Sequence, residues 1–210
     1  AGWFIPTRRL FRSMTKTLFA NIELGKLGAY RITSLDERSP VAEKLRGMWD
    51  VTRDSILRRR EWNFALKRVT LSALATAPAF GYAYQYQLPT DYIRAIEFNA
   101  QAAGTSQALF EIEGDKLLTN DETAELRYVY RNEDVSSWDD GFHAAFAFAL
   151  AAAVAPSLSN SQTMAADLEA KAERAITKAG GANLGEDKPR AILAFQDSGY
   201  INARLGAQNW

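Results

Sequence analysis

The spacing of apolar residues changes twice along the chain, and this change limits the folds that the chain can adopt. Residues 40–61 carry apolar side chains at the spacing of an α-helix. Between about 80 and 131, apolar and polar residues alternate, which is the period of a β-strand. Helical spacing returns at 139–154 and 161–179, and the short link between these segments favours an antiparallel pair. The pattern predicts a mainly α fold, an antiparallel helical bundle with a small inserted antiparallel β-sheet.

The first long helix has the clearest start and end. Ser39 is a preferred N-cap residue, and Pro40 suits the first helical position. The cations Arg58, Arg59 and Arg60 stand at the opposite end, where they interact favourably with the helix dipole. One apolar stripe contains Val41, Leu45, Met48, Trp49, Thr52 and Ile56. We therefore expect one face of this helix to be buried.

A set of large or rigid residues is predicted to anchor the core. Trp62 and Phe64 follow the long helix directly, so we expect them where the helix meets the sheet. The tyrosines of the alternating segment are expected to place one face against the helices. The predicted core anchors are Trp49, Trp62, Phe64, Tyr86, Leu88 and Pro89.

The two ends of the chain differ from its middle. Residues 1–13 are basic and aromatic without a clear period, which is typical of an extended arm. Residues 14–180 form the predicted core, and 181–210 form a C-terminal extension rich in glycine. A purely solvated extension would not need large apolar residues. We therefore expect contacts with another protein chain from Ile192, Phe195, Tyr200, Ile201, Leu205 and Trp210.

Charge is divided unevenly although the whole chain is neutral. Residues 1–70 carry 15 Lys and Arg against 7 Asp and Glu, whereas 71–210 carry 10 against 18. Opposite charge on two parts of one chain favours head-to-tail attraction between copies. An accidental split is the alternative interpretation.

Several short segments together resemble one protein family. They are Met14-Thr15-Lys16, Leu24-Gly25-Lys26-Leu27-Gly28-Ala29, Ile32-Thr33-Ser34-Leu35-Asp36, Ser39-Pro40-Val41-Ala42, Arg53-Asp54-Ser55-Ile56-Leu57, Trp62-Asn63-Phe64-Ala65 and Tyr84-Gln85-Tyr86-Gln87-Leu88-Pro89-Thr90-Asp91-Tyr92-Ile93-Arg94. Their combination resembles the head-to-tail adaptor, or connector, proteins of tailed bacteriophages, of the tail tubular protein A type. The similarity covers about residues 14–180.

This resemblance implies a structural protein without enzymatic activity or cofactor. Adaptors of this type form a ring, usually of twelve copies, beneath the portal vertex. It implies a C-terminal extension that reaches the portal, and a lower face that receives the tail nozzle or the tail-tube or terminator protein. Genomic DNA passes through the lumen. The expected location is the neck of the virion, at the head–tail junction, after assembly in the host cytoplasm and without a membrane partner.

Basic residues near the end of the long helix permit a second interpretation. Arg58, Arg59, Arg60 and Arg68 are candidates for contact with a neighbouring subunit or with DNA in the channel. Contact with passing DNA is expected to be independent of sequence and sensitive to salt. A non-specific DNA-binding protein is therefore one alternative function.

Few residues could carry chemistry. The chain has no cysteine and a single histidine, His143, so a thiolate or multi-histidine metal site is excluded. Glu111 and Glu113 share a strand face and resemble a glycosidase pair in spacing, so a virion-associated cell-wall hydrolase is the other alternative. Solvated strand residues explain them better. The apolar run 142–155 is shorter than a bilayer span and predicts a buried helix.

Overall fold

The computed structural model describes residues 31–106, 109–159 and 162–184, together with positions 16, 17, 20, 21 and 25. Three long helices lie in this part of the chain: α1 (Pro40–Arg59), α2 (Asp140–Ser159) and α3 (Gln162–Leu184). The strands are β1 (Leu66–Leu71), β2 (Tyr84–Gln87), β3 (Tyr92–Phe98), β4 (Gln101–Ala102), β5 (Phe110–Glu113), β6 (Lys116–Thr119) and β7 (Ala124–Tyr130). Short 3₁₀ turns occur at Asn63–Ala65 and Val135–Ser137.

The prediction of a mainly helical bundle with one small sheet was wrong. Helices hold 46% of the interpretable residues, and two antiparallel sheets hold a further 23%, so the fold is mixed α and β. The strands begin at Leu66 and not near residue 80. Two strands lack the simple alternation that sequence analysis relies on. Strand β1 is a largely exposed edge strand, and β3 is buried on both faces over much of its length.

The strands form a large sheet and a small sheet. The large sheet has the order β1-β7-β3-β4, and the small sheet has the order β2-β6-β5. After β1 the chain crosses to the small sheet, where Ala73 bridges Tyr86. The backbone N–H of Leu74 also donates to the carbonyl of Gln85 at 2.9 Å. Strands β1 and β2 are therefore joined at one side of the sandwich.

Two separate apolar clusters divide the molecule into layers. The cluster between the two sheets, which we call the sandwich core, contains Tyr86, Leu88, Ala95, Phe98, Leu117, Ala124, Leu126 and Tyr128. The second cluster, the helical core, combines the three helices with one face of the large sheet through Ile93, Ile96 and Val129. The large sheet is thus the middle layer, covered by helices on one face and by the small sheet on the other.

The helical core is dominated by aromatic rings that meet edge to face. Trp62 and Phe142 have ring centroids 5.0 Å apart at an interplanar angle of 85°. Trp49 meets Phe146 at 4.9 Å. Trp138 contacts Phe142 at 4.8 Å and Phe146 at 5.1 Å. Such edge-to-face pairs stabilise a core beyond the area that they bury.

Helices α2 and α3 pack closely along their small residues. A Cβ atom added to Gly141 would lie 2.5 Å from the Cβ of Ala179. The sequence predicted earlier ends for both helices, but α2 continues through Pro156 to Ser159, and α3 continues beyond Gly180 to Leu184. Tertiary packing of the helix pair overrides the local preference of proline and glycine to end helices.

Helix α2 is longer than the apolar run that predicted it. The segment Asp140–Leu158 has a mean hydropathy of 1.6, so among the described helices this one could cross a membrane by length and composition alone. Half of this segment is buried within the protein. Phe142, Phe146 and Leu150 are fully enclosed by the helical core. Core helices with this packing give the same signal, so it is weak evidence for a membrane span.

Candidate assembly surfaces

The predicted core anchors lie in both apolar clusters. Trp49 and Trp62 are buried in the helical core, and Tyr86 and Leu88 are buried in the sandwich core. Phe64 and Pro89 are half-buried. Trp62 is enclosed completely, and its indole Nε1 donates a hydrogen bond to the carbonyl of Ile56 at 3.1 Å. This bond ties the end of α1 to the start of the sheet.

The predicted contact residues of the C-terminal extension lie outside the described residues, as does the arm at 1–13. They are Ile192, Phe195, Tyr200, Ile201, Leu205 and Trp210. Their expected contact with the portal or a neighbouring subunit stays a prediction.

The three arginines at the end of α1 do not form one surface. Arg58 donates through Nη1 to the carbonyl of Ile93 on β3 at 3.1 Å. The Arg59 guanidinium forms a two-pronged ion pair with the carboxylate of Glu173 on α3, with N–O distances of 2.5 and 2.6 Å. Hydrogen bonding to Glu173 raises the pKa of Arg59. Arg58 and Arg59 therefore fasten α1 to its neighbours, and Arg60 is half-buried.

Strand β1 presents a basic edge of the large sheet. Arg68 is 75% exposed and lies 3.8 Å from Glu97, too far for a strong bond. Arg127 makes the closer contact with Glu97, at 3.1 Å. On the other face of the strand, the Lys67 ammonium lies 2.6 Å from Asp91 and 3.9 Å from the ring centroid of Tyr130. Arg68 is thus the cation on this edge with the most freedom to contact another chain.

The outer face of the small sheet is acidic and partly covered by a loop. Glu111 and Glu113 are exposed on β5, and their alternation with Phe110 and Ile112 places both carboxylates on this outer face. The loop 78–82 and these glutamates line an open pocket of about 340 Å³, together with Lys116 of β6. Tyr82 donates its hydroxyl to Glu111 at 3.2 Å.

Apolar side chains are exposed near the same sheet. Phe80, in the loop over the pocket, is 87% exposed, and Leu109, immediately before β5, is 68% exposed. Val51 on α1 is 65% exposed. Single exposed apolar residues are ordinary on protein surfaces. An aromatic ring at such exposure on a loop tip is nevertheless a suitable anchor for a partner, because aromatic residues dominate the energetics of interfaces.

The side chains that could have served in catalysis or metal binding make structural contacts instead. His143 is buried, and its Nε2 lies 2.9 Å from the carbonyl of Val135. Burial lowers the pKa of His143 below its ordinary value. The Asp139 carboxylate accepts the backbone N–H of Phe142 at 2.6 Å, which caps α2, and burial raises the pKa of this carboxyl group. Among the described residues, no group of three or more His, Cys, Asp or Glu side chains could hold a metal ion.

No known protein-family model matches this sequence, and no curated protein matches it either.

Sequence analysis missed one buried charge. Arg53 is 1% exposed, and it pairs with Asp50 and Asp54 of its own helix at 2.9 Å each. Asp54 also accepts Arg131 at 2.8 Å. Arg46, Arg53 and Arg60 recur every seven residues, which by itself favours a shared helix face away from the apolar stripe, and nothing in that spacing signals burial. The exposure of Phe80 had no sequence signal, since an isolated aromatic residue in a loop is equally compatible with a core position.

Proposed function

We propose that this chain is a ring-forming structural adaptor that joins a phage portal to the tail and lines the channel for DNA. The observation that carries the proposal is the separation of two unlike surfaces. Strand β1 offers Arg68 at one edge, whereas β5 offers Glu111 and Glu113 at an edge of the other sheet. A closed ring of identical subunits needs two different, complementary patches on each subunit.

The positions of two segments that carry the resemblance, 62–65 and 84–94, support the proposal. The segment 62–65 joins α1 to β1 and supplies Trp62 to the helical core. The segment 84–94 contains β2 and the first part of β3, and so connects the two sheets. Both segments hold the scaffold together. This is the role expected of shared residues in a protein that acts by shape and contact.

Electron microscopy of the chain mixed with the portal protein of the same phage tests the proposal. We expect one added ring at the narrow end of the portal, with the copy number set by the portal's symmetry. A chain truncated after residue 184 serves as a control for the predicted role of the extension, and should bind the portal more weakly. If the full chain neither binds the portal nor forms a ring, the proposal is wrong.

A cell-wall hydrolase is the second candidate, because Glu111 and Glu113 lie together in a pocket. A turbidity assay on purified cell walls separates the two functions. The adaptor proposal predicts no clearing. Clearing that disappears in both Glu111→Gln and Glu113→Gln variants, with Glu169→Gln on α3 as an exposed control, would identify an enzyme instead.

Measurements of DNA binding distinguish a channel lining from a protein that reads DNA sequence. A channel lining predicts weak binding that is independent of sequence and falls steeply as salt rises. Fluorescence anisotropy with two unrelated duplexes of equal length measures both properties. Tight binding to one of the two duplexes at physiological salt would favour a sequence-reading DNA-binding protein over the adaptor.

A further inference from the structure

The small sheet forms an outer layer in the part of the chain that the structure describes. Its inward side chains belong to the sandwich core, and the alternate side chains of the same strands face outward. Five of these outward side chains line the open pocket beside the loop 78–82, namely Gln85, Glu111, Glu113, Lys116 and Leu118. We call this surface, together with the exposed Phe80 and Leu109, the docking face.

The docking face combines exposed apolar side chains with carboxylates. Phe80 is 87% exposed and Leu109 is 68% exposed. Leu109 alternates with the inward Phe110, so it lies on the same side of the sheet as the two glutamates of β5. Carboxylates beside an aromatic ring suit an arginine, whose guanidinium pairs with carboxylates through two hydrogen bonds and stacks on rings. The face therefore fits a segment that is both basic and apolar.

The arm at 1–13 has this composition. It contains Arg8, Arg9 and Arg12 and no aspartate or glutamate. Its large apolar residues precede and separate the arginines, and they are Trp3, Phe4, Ile5, Leu10 and Phe11. The arm thus complements the docking face in charge and in apolar character, and both kinds of contact contribute to an interface.

The root of the arm lies in the helical layer. Ala20 is buried in the helical core, and the side chain of Asn21 makes two hydrogen bonds to the backbone of Ile32, each at 2.8 Å. The docking face lies beyond the large sheet, on the other side of the subunit. Stacked sheets lie about 10 Å apart, and a fully extended chain of 15 residues spans about 50 Å. An arm rooted in one copy is therefore long enough to reach the docking face of an adjacent copy.

We propose that the arm at 1–13 of one subunit binds the docking face of the next subunit. Its arginines meet Glu111 and Glu113, and its apolar residues cover Phe80 and Leu109. Because the root of the arm and the docking face lie on opposite sides, the contact joins two different surfaces, as a closed ring requires. The sheets of neighbouring subunits stay separate, so successive copies can keep one orientation around the ring axis. This inference rests on the proposed ring and specifies its subunit interface.

Cysteine cross-linking of full-length chains tests where the arm binds, and the absence of natural cysteine makes each cross-link specific. One protein carries Thr7→Cys in the arm, and the other carries Ala79→Cys beside Phe80. Mild oxidation of the mixture, with and without the portal protein, should give a disulfide-linked heterodimer. The matched control is Ala166→Cys, which replaces an exposed alanine on α3 and should give none.

Charge reversal tests the contacts of the arginines. The change R8E/R9E in the arm protein should slow formation of the heterodimer about tenfold, because attraction is replaced by repulsion. The change E111K/E113K in the other protein should then restore the rate. Glu169→Lys on α3 is the control and should restore nothing. If the doubly reversed pair stays as slow as R8E/R9E alone, the arginines do not bind at these carboxylates and the proposal is wrong.

The apolar contacts are tested separately. Phe80→Ala and Leu109→Ser should each slow the cross-linking several-fold, and this loss should persist at high salt, whereas the effect of charge reversal should shrink. Circular dichroism checks that each variant folds. Rates that depend on neither side chain would contradict the proposed docking face.

The outcomes separate this inference from the proposed function. A chain with both Thr7→Cys and Ala79→Cys that closes its disulfide within one molecule, at concentrations where subunits associate, would place the arm on its own subunit and overturn the proposal. Absence of the heterodimer under both conditions would also overturn it. If a chain lacking residues 1–13 still formed a ring on the portal, the adaptor function would stand without this interface. Specific cross-linking in a chain that does not bind the portal would support the interface and count against the adaptor function.

Discussion

The helical half and the β half of this protein differ in how their cores are built and in what they expose. The helical core is built from tryptophan and phenylalanine rings, and its buried histidine, His143, is held by the backbone carbonyl of Val135. The sandwich core is smaller and includes buried tyrosines whose hydroxyls donate hydrogen bonds, as Tyr128 donates to the Asp91 carboxylate at 2.9 Å. The β half also carries the open edges and the exposed Phe80. The aromatic packing is thus concentrated in the helical half, whereas the open strand edges and the most exposed aromatic ring lie in the β half.

Among variants that test this comparison, Trp62→Ala should have the largest effect on stability. The side chain is fully enclosed, meets Phe142 edge to face and donates to Ile56. Its removal should lower the free energy of unfolding by about 3–5 kcal/mol, measured by denaturant unfolding. The exposed Phe80→Ala variant is the counterpart in the β half and should change stability by less than about 0.5 kcal/mol. Equal losses from both variants would contradict this difference between the two halves.

A smaller effect is expected from Gly141→Ala. The added methyl group would collide with Ala179, so the two helices must separate. Overpacking of this kind costs about 1–3 kcal/mol, although alanine itself favours a helix. The double variant with Ala179→Gly provides the room again and should recover part of the loss. Without such coupling between the two positions, the close approach of α2 and α3 would not be responsible.

Burial of His143 in the helical half predicts that the free energy of unfolding depends on pH. Burial lowers the pKa of His143 in the folded protein below 6.5, its value in an unfolded chain. The unfolded state therefore binds more protons between these two pKa values. Stability should be fully present above about pH 6.5 and should decrease as the pH falls through this window. The decrease should be absent in His143→Gln, and an unchanged slope in that variant would assign the effect to other groups.

The smallest effect is expected at the ion pair between Arg59 and Glu173. Both side chains are about half exposed, at 45% and 50%. Solvent screening limits such pairs to roughly 0.2–1 kcal/mol. Arg59→Gln should therefore reduce stability slightly, and the reduction should shrink in high salt. Glu173→Gln is the matched variant. A large loss in DNA affinity from Arg59→Gln with no change in stability would instead place Arg59 in the channel.

The sequence was informative where one physical signal dominated. Ser39 and Pro40 predicted the start of α1, and the side chain of Ser39 does cap the helix by accepting the N–H of Ala42 at 3.2 Å. The tyrosine alternation predicted β2, but the expectation that these tyrosines pack against the helices was wrong. Tyr84 and Tyr86 pack in the sandwich core, because the large sheet lies between them and the helices. The proportion of β structure was underestimated, since β1 is an exposed edge and β3 is covered on both faces.

The candidate surfaces were harder to predict than the fold. Glu111 and Glu113 were recognisable as exposed strand residues from their alternation with Phe110 and Ile112. Nothing in the sequence indicated that β5 forms an edge, or that the other open edge carries Arg68. Strand order depends on contacts between residues far apart in the chain, here between β1 and β7. Local spacing contains no information about such pairing.

The most direct test of the account is hydrogen–deuterium exchange of the free chain and of the chain bound to the portal. Contact with a neighbouring chain at an open edge protects the backbone N–H groups there, whereas the helical core is already closed in the free subunit. We predict new protection at both β1 and β5, with little change in α1 and α2. Exchange at both strands that stays the same after binding, or protection gained only in the helices, would contradict the claim that this protein works through the unlike edges of its β half.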